Sequence, residues 1–278
     1  MKRLFPLLLC LLLTGCAPIP TNGPAVEAFA PAPSDSDVVS LGLAVTAHIQ
    51  KSMHATANSS GRVHLELTAA AVLVDADGVI RQCAIDGVRA VVPFDQWGTP
   101  LLPAGTRFPS KCALGENYGM ARASSLGQEW HVQAAALAER CIGKTLADLQ
   151  AGDVTASVTI ATDNALRVVA EAVENAAACD ARAGDTLQLR CMGELTDAAS
   201  PTAETNGLVS LHGVAAADAL RLDTPVVTQE HALTAQVPVT AAGEVACPLH
   251  VGLSPLSDVL YPVPVTDDDR ALLAENGG

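Results

Sequence analysis

The sequence predicts an α+β fold of two tandem β-rich modules, the first with covering helices and the second truncated and mostly β. An internal repeat is the first reason. Leu41, Leu43, Gly61, Val63, Leu65, Ala69, Ala70, Ala71 and Asp77 recur 146 residues later as Leu187, Leu189, Gly207, Val209, Leu211, Ala215, Ala216, Ala217 and Asp223. One residue is then missing, and Ala90, Val92, Pro93 and Gly98 recur at a spacing of 145 as Ala235, Val237, Pro238 and Gly243. Glycines, a proline and alternating apolar positions sharing one register imply a duplicated unit, whose copies should bury the same alternate residues. The second reason is a change of hydrophobic period. Val63, Leu65 and Leu67 alternate with Arg62, His64 and Glu66, the period of a strand with one buried face. Leu126, Trp130, Ala134, Leu137 and Cys141 instead fall at spacings of four, four, three and four, one face of a helix. The third is the short end of the second copy: the 35 residues after Gly243 hold Pro248, Pro255, Pro262 and Pro264, which exclude a long helix.

The elements of the first copy follow in order. Asp75-Ala76-Asp77-Gly78 supplies a turn between the strand through Val74 and a second β-like stretch at 79–93, which makes a hairpin. The helix through Trp130 should stop at Gly143, where a left-handed residue closes the last turn. A short helix at 145–150, a strand at 154–160 and a helix at 164–177 capped by Asp163 complete the copy. The second copy keeps strands, and Asp267-Asp268-Asp269 opens one last short helical turn. Its sheet must find cover on the first module or on a partner chain.

The N-terminus carries an address. Lys2 and Arg3 precede an apolar run at 4–13, too short to span a bilayer, and the run ends in Leu13-Thr14-Gly15-Cys16. This tetrapeptide resembles the lipobox of bacterial lipoproteins. The resemblance implies that residues 1–15 are a removed signal peptide and that Cys16 receives a diacylglyceryl group, anchoring the chain on the extracytoplasmic face of the cell membrane. Two acyl chains hold a protein stably where one does not. The stretch at 16–37 holds Pro18, Pro20, Pro24, Pro31 and Pro33 and reads as a tether, on the order of 60 Å if polyproline-like. The first module is then 38–180 and the truncated copy 184–278.

Composition narrows the partners. Without Lys2 and Arg3 the chain has 14 basic against 30 acidic residues, which excludes nucleic acid as a partner for want of a basic stripe. Aromatics make up 3% of residues and alanine much of the apolar share, so each core side chain buries little area. No CxxC, HxxH or HExxH spacing supports a metal site. Six cysteines remain besides Cys10 and Cys16, allowing fifteen pairings; Cys179 and Cys191 flank the junction of the copies, and a disulfide closing a short loop through Gly184 is expected there.

Strand, Asp-Gly turn, strand, helix and a threonine-bearing segment before a last helix occupy residues 39–178. This order, with Asp153-Val154-Thr155-Ala156-Ser157-Val158-Thr159, resembles the exported FMN-binding domains of bacterial lipoproteins. In that family a threonine carries FMN through a phosphoester bond. The resemblance implies Thr159 as the acceptor and Asp153 as the motif's aspartate. Ser157-Val158 stands where the family has Gly-Ala, and a β-branched residue fills the space glycine or alanine leaves, so Thr159 is expected to carry no covalent FMN. Tyr118, in a glycine-flanked loop, is the aromatic candidate for a binding site, while Trp130 belongs to the core. No GxSxG elbow occurs, and Glu129 and His131 diverge on their helix, so no catalytic residue is assigned. The expectation is a non-enzymatic, lipid-anchored surface protein that binds an unidentified ligand or protein partner, with an FMN-carrying redox lipoprotein as the alternative.

Overall fold

Two antiparallel sheets stacked on one shared apolar core organise the chain. The computed structural model describes residues 37–245, 250–251 and 263–275; the signal segment, Cys16, the tether through residue 36, Cys247, Pro248, Pro255 and Pro262 lie outside the described residues. The first sheet has the order β3 (Ile80–Phe94), β2 (Gly61–Val74), β1 (Val38–Ile49) and β5 (Ala177–Arg182). The second has the order β4 (Arg107–Pro109), β6 (Thr186–Ala199), β7 (Gly207–Arg221), β8 (Thr224–Val239) and β9 (His250–Val251). Leu41, Leu43, Val63, Leu65 and Leu67 from the first sheet meet Val209, Leu211, Ala215, Ala235 and Val237 from the second. Burial of each such side chain stabilises the fold by about 1.5–3 kcal/mol for the larger ones, and less for alanine.

The residues matched by the sequence repeat have matched ladder partners. Val63 pairs with Val92 and Val209 with Val237; Leu41 pairs with Leu73 and Leu187 with Ala219. A bulge follows Leu73 in one hairpin and Ala219 in the other. The missing residue falls in the turn beyond it. The first hairpin turns through Asp75, whose Oδ1 accepts from the Asp77 and Val79 amides, while the second turns tightly through Leu222 and Asp223, both with positive φ.

The outer face of the first sheet is covered by α2 (Trp130–Cys141), α3 (Leu146–Ala151) and α4 (Thr162–Glu174), which bury Ala44, Ala70, Val72 and Val74 from above. Strand β2 is therefore buried on both faces, and His64 and Glu66, read from the alternation as the exposed side, are 5% and 6% exposed. Helix α2 starts at Trp130, leaving Leu126 exposed ahead of it, and Ala134, Leu137 and Cys141 form its buried stripe. Thr145 and Asp148 cap α3 reciprocally.

Residues 154–160 are not a strand. Alternation alone cannot make one without a ladder partner, and here Val154, Ala156 and Ile160 pack into the helical layer while the Thr159 amide donates to the Gln133 side chain at 2.6 Å. Helix α4 begins after Ala161, with Asp163 in its first turn rather than as its cap. On the second sheet, Met192, Val214, Ala216 and Ala232 are covered by Leu272 and Leu273 of α5 (Asp267–Glu275), which extends past the short turn expected there.

Cys179 and Cys191 are not joined. The chain leaves the first sheet at β5 and enters the second at β6, so the two cysteines sit in different sheets: the Cys179 thiol donates to the Val39 carbonyl at 3.4 Å, and Cys191 lies in the inter-sheet core near Asp86.

Candidate functional site

Strand register brings the site together. His48 of β1 pairs with Glu66 of β2, and Glu66 with Arg89 of β3, so three polar side chains form one row on the face beneath the helices. His64 stands two residues before Glu66 on the same face. Above the row comes Lys111, delivered by the short helix α1 (Lys111–Leu114) just after β4.

Buried contacts hold this loop in place. Ser110 caps α1 by accepting from the Ala113 amide at 3.0 Å, and the Asp86 carboxylate accepts from the Gly87 and Cys112 amides at 2.7 and 3.1 Å. Burial pushes the Asp86 carboxyl above the usual carboxylate range, and its hydrogen bonds only partly offset that cost. So fixed, Lys111 is 6% exposed, and its ammonium donates to Glu66 Oε2. The same ammonium lies 4.7 Å from the centre of the Trp130 ring and 5.6 Å from that of Tyr118, a cation–π arrangement on two sides.

Two histidines belong to this row. Arg89 Nε donates to His64 Nε2 at 3.0 Å, which uses the ring's lone pair and places its proton on Nδ1. His64 Nε2 is also 3.6 Å from Glu66 Oε1, beyond hydrogen-bond reach. Burial raises the Glu66 carboxyl, but His64 and Lys111 outweigh it and hold it below the usual range. Burial lowers the His48 imidazole against the pull of Glu66, and its buried Nδ1 has no hydrogen-bond partner.

These groups line a cavity of about 390 Å³ open to solvent between the sheet, the 118–123 loop and the start of α4. Lys51, Arg89 and Lys111 contribute three cations to its lining and Glu66 the one carboxylate, in a chain whose formal charge is −14. Thr68 and Asn164 close one side, with Asn164 Nδ2 donating to Thr68 Oγ1 at 2.9 Å.

Two of the residues singled out in the sequence meet here. Tyr118 and Thr159 both line the cavity. The Thr159 hydroxyl lies 3.0 Å from Ser124 Oγ and donates to Gln133 Oε1 at 3.1 Å, and the fully buried Gln133 amide donates in turn to Ser124 Oγ and the Gln128 carbonyl. Asp153 is exposed and is not part of the lining. Cys16 lies outside the described residues. Trp97, 63% exposed on the turn after β3, is also apart from the cavity, whereas Trp130 is both core residue and cavity wall.

His48, Glu66, Arg89 and Lys111 were missed in the sequence, although a signal was there. Thr46 and His48 on one strand, with Gln50 just past its end, and His64, Glu66 and Thr68 on the next place polar residues on the face that the predicted helices must cover. A polar face under a helical roof is a site or a network rather than a solvated surface.

No protein-family model, curated protein or solved structure matches this chain. Among the described residues no cluster of three or more His, Cys, Asp or Glu side chains is arranged to hold a metal, and no helix is long and apolar enough to cross a membrane.

Proposed function

We propose that the protein is a lipid-anchored, extracytoplasmic binding protein without enzymatic activity, and that the cavity over β1, β2 and β3 takes a small anion bearing a flat ring. The observation that carries this reading is the excess of cations over carboxylates in the cavity of an otherwise acidic chain, beside the ring of Tyr118. Arg89 gives only its Nε to another described residue, and Lys51 stands at the same wall. Catalysis draws less support: Glu66 is occupied by Lys111 and the His64 lone pair by Arg89, so neither is poised to take a proton. Anchoring rests on Lys2, Arg3, the apolar run and Leu13-Thr14-Gly15-Cys16. We read the two sheets as tandem copies of one three-strand unit, on the strength of their matched registers and bulges.

A second reading, reversible FMN binding, is favoured by Tyr118 and Thr159 lining the same cavity. Fluorescence separates the two. In a Trp97→Phe background Trp130 is the sole indole, and phenyl phosphate should quench it saturably, with phenol much weaker and the effect lost in Arg89→Ala. Quenching by FMN but not by riboflavin would extend the site to flavin phosphate. No saturable response to phenyl phosphate or FMN rejects the cavity as an anion site. Fractionation of the wild type as lipid-free soluble protein rejects the anchor.

A further inference from the structure

The end of α2 is clasped to the start of β3. Immediately after Cys141, the Gly143 amide donates to the Ile80 carbonyl at 2.8 Å and the Ile80 amide to the Lys144 carbonyl at 2.9 Å. The bulge between Leu73 and Val74 pairs Val74 with Ile80 and Leu73 with Gln82, leaving Arg81 as the extra residue. That extra residue puts Ile80 and Cys83, three apart, on the same helix-facing side, and both belong to the cluster that contains Cys141. Cys141 is fully buried as the last residue of the α2 stripe and Cys83 is half-buried in the same cluster; both are free thiols in the structure and interact across the helix–sheet contact.

We propose that Cys83 and Cys141 are joined by a disulfide in the exported protein. Among the five described cysteines the clasp brings this pair into one cluster, and the inference rests on the extracytoplasmic reading for its oxidising compartment. The step balances as exchange with an oxidised dithiol protein. One thiolate attacks a sulfur of the oxidant's disulfide and expels a thiolate from it. The second cysteine loses its proton, attacks the mixed disulfide and releases the oxidant as a dithiol, which carries off two electrons and two protons. Because Cys141 is sealed once α2 is seated, exchange precedes docking of the helix.

The contact already polarises the pair, raising the Cys83 thiol, with burial adding to the rise, and lowering that of Cys141. The bridge would close a loop from 83 to 141 that contains Lys111, Tyr118, Trp130 and Gln133. It would fasten α2, and with it one wall of the cavity, to the first sheet. Long closed loops restrict the unfolded chain most.

The test uses the full chain in two arms. Protein from the bacterial envelope, alkylated in denaturant without reductant and digested, should yield a peptide pair linking Cys83 to Cys141, with the mass of two hydrogens missing. Separately, reduced protein refolded in a glutathione redox buffer should form the same link, and Cys83→Ser should leave Cys141 alkylated. Free thiols at both positions in both arms, or Cys141 linked to another cysteine, overturns the proposal. A link in the refolding arm with free thiols in the cell-derived protein keeps the pairing and overturns the extracytoplasmic reading.

Discussion

Leu67 fills the space that Gly213 leaves open across the inter-sheet core. A Cβ built on Gly213 would collide with Leu67 Cδ1. Gly213 stands 146 residues after Leu67, the spacing of the sequence repeat, and the two positions form a knob on one sheet and a hole on the other. Leu67→Ala should cost about 2–5 kcal/mol in urea unfolding as a cavity opens. Gly213→Ala should cost about 1–3 kcal/mol through overpacking. Because the two changes compensate in volume, the double variant should lose less than the sum. Strict additivity would show that the two residues do not share this space.

Glu66 and Lys111 form a buried pair whose partners depend on each other. Lys111→Met leaves a buried carboxylate and Glu66→Gln a buried ammonium, and each should cost about 3–5 kcal/mol. The double variant should recover most of that loss, because no unpaired charge remains and Met can lie against Trp130. A double-mutant cycle by chemical denaturation checks it. Single-variant costs below about 1 kcal/mol would mark the pair as solvated.

Stability should fall as the site acidifies. Burial holds the His48 imidazole below its ordinary 6.5, in an environment that includes Glu66, Lys111, Arg167 and His64. Above 6.5 the ring is neutral folded and unfolded, and its contribution is complete; as the pH drops from there through the folded value, the unfolded chain takes up the proton first. Glu66, held below its ordinary 4.5, adds a second loss on further acidification. Asp86, raised by burial, works the other way, favouring the fold at low pH. Thermal melts should show a midpoint decline as the pH falls below 6.5 that shrinks in His48→Asn. Parallel curves for the two proteins would remove His48 as its source.

The second sheet should not stand alone. Val209, Leu211, Ala215, Ala235 and Val237 are buried against the first sheet, so residues 184–278 expressed by themselves would expose that face and the edge of β6. Aggregation or self-association in sedimentation is expected. A monomeric fragment with cooperative unfolding would contradict it.

What could be read in the sequence was what local chemistry decides. Asp75 and Gly78 turn the first hairpin, Ala134, Leu137 and Cys141 form one buried stripe, and Thr145 starts a helix, each within a few residues of its cause. The 154–160 segment misled because alternation does not say whether a neighbouring strand is available, and the Thr159 amide bonds instead to a side chain from α2. The site was hidden for a related reason. His48, Glu66, Arg89 and Lys111 lie far apart in the chain and meet only through strand register and a pinned loop, so no motif records them. Tyr118 and Thr159 were found because a glycine-flanked loop and a resemblance pointed to them one at a time; that they share a cavity follows from the fold.

Thr159 is expected to carry no FMN ester even when a flavin transferase is present. Ser157-Val158 precedes it where the resembling family has Gly-Ala, and a β-branched residue next to the acceptor stiffens the backbone that must approach the transferase. The fold adds a second obstacle: the Thr159 amide and hydroxyl are both tied to Gln133, and the hydroxyl also meets Ser124. Esterification would break the hydroxyl's bonds to Gln133 and Ser124, leaving the fully buried Gln133 Oε1 with the Thr159 amide as its donor. Co-expression with a flavin transferase followed by intact-mass measurement should return the unmodified chain. An FMN-sized increment that disappears in Thr159→Ala would replace the binding-protein reading with that of a flavin carrier.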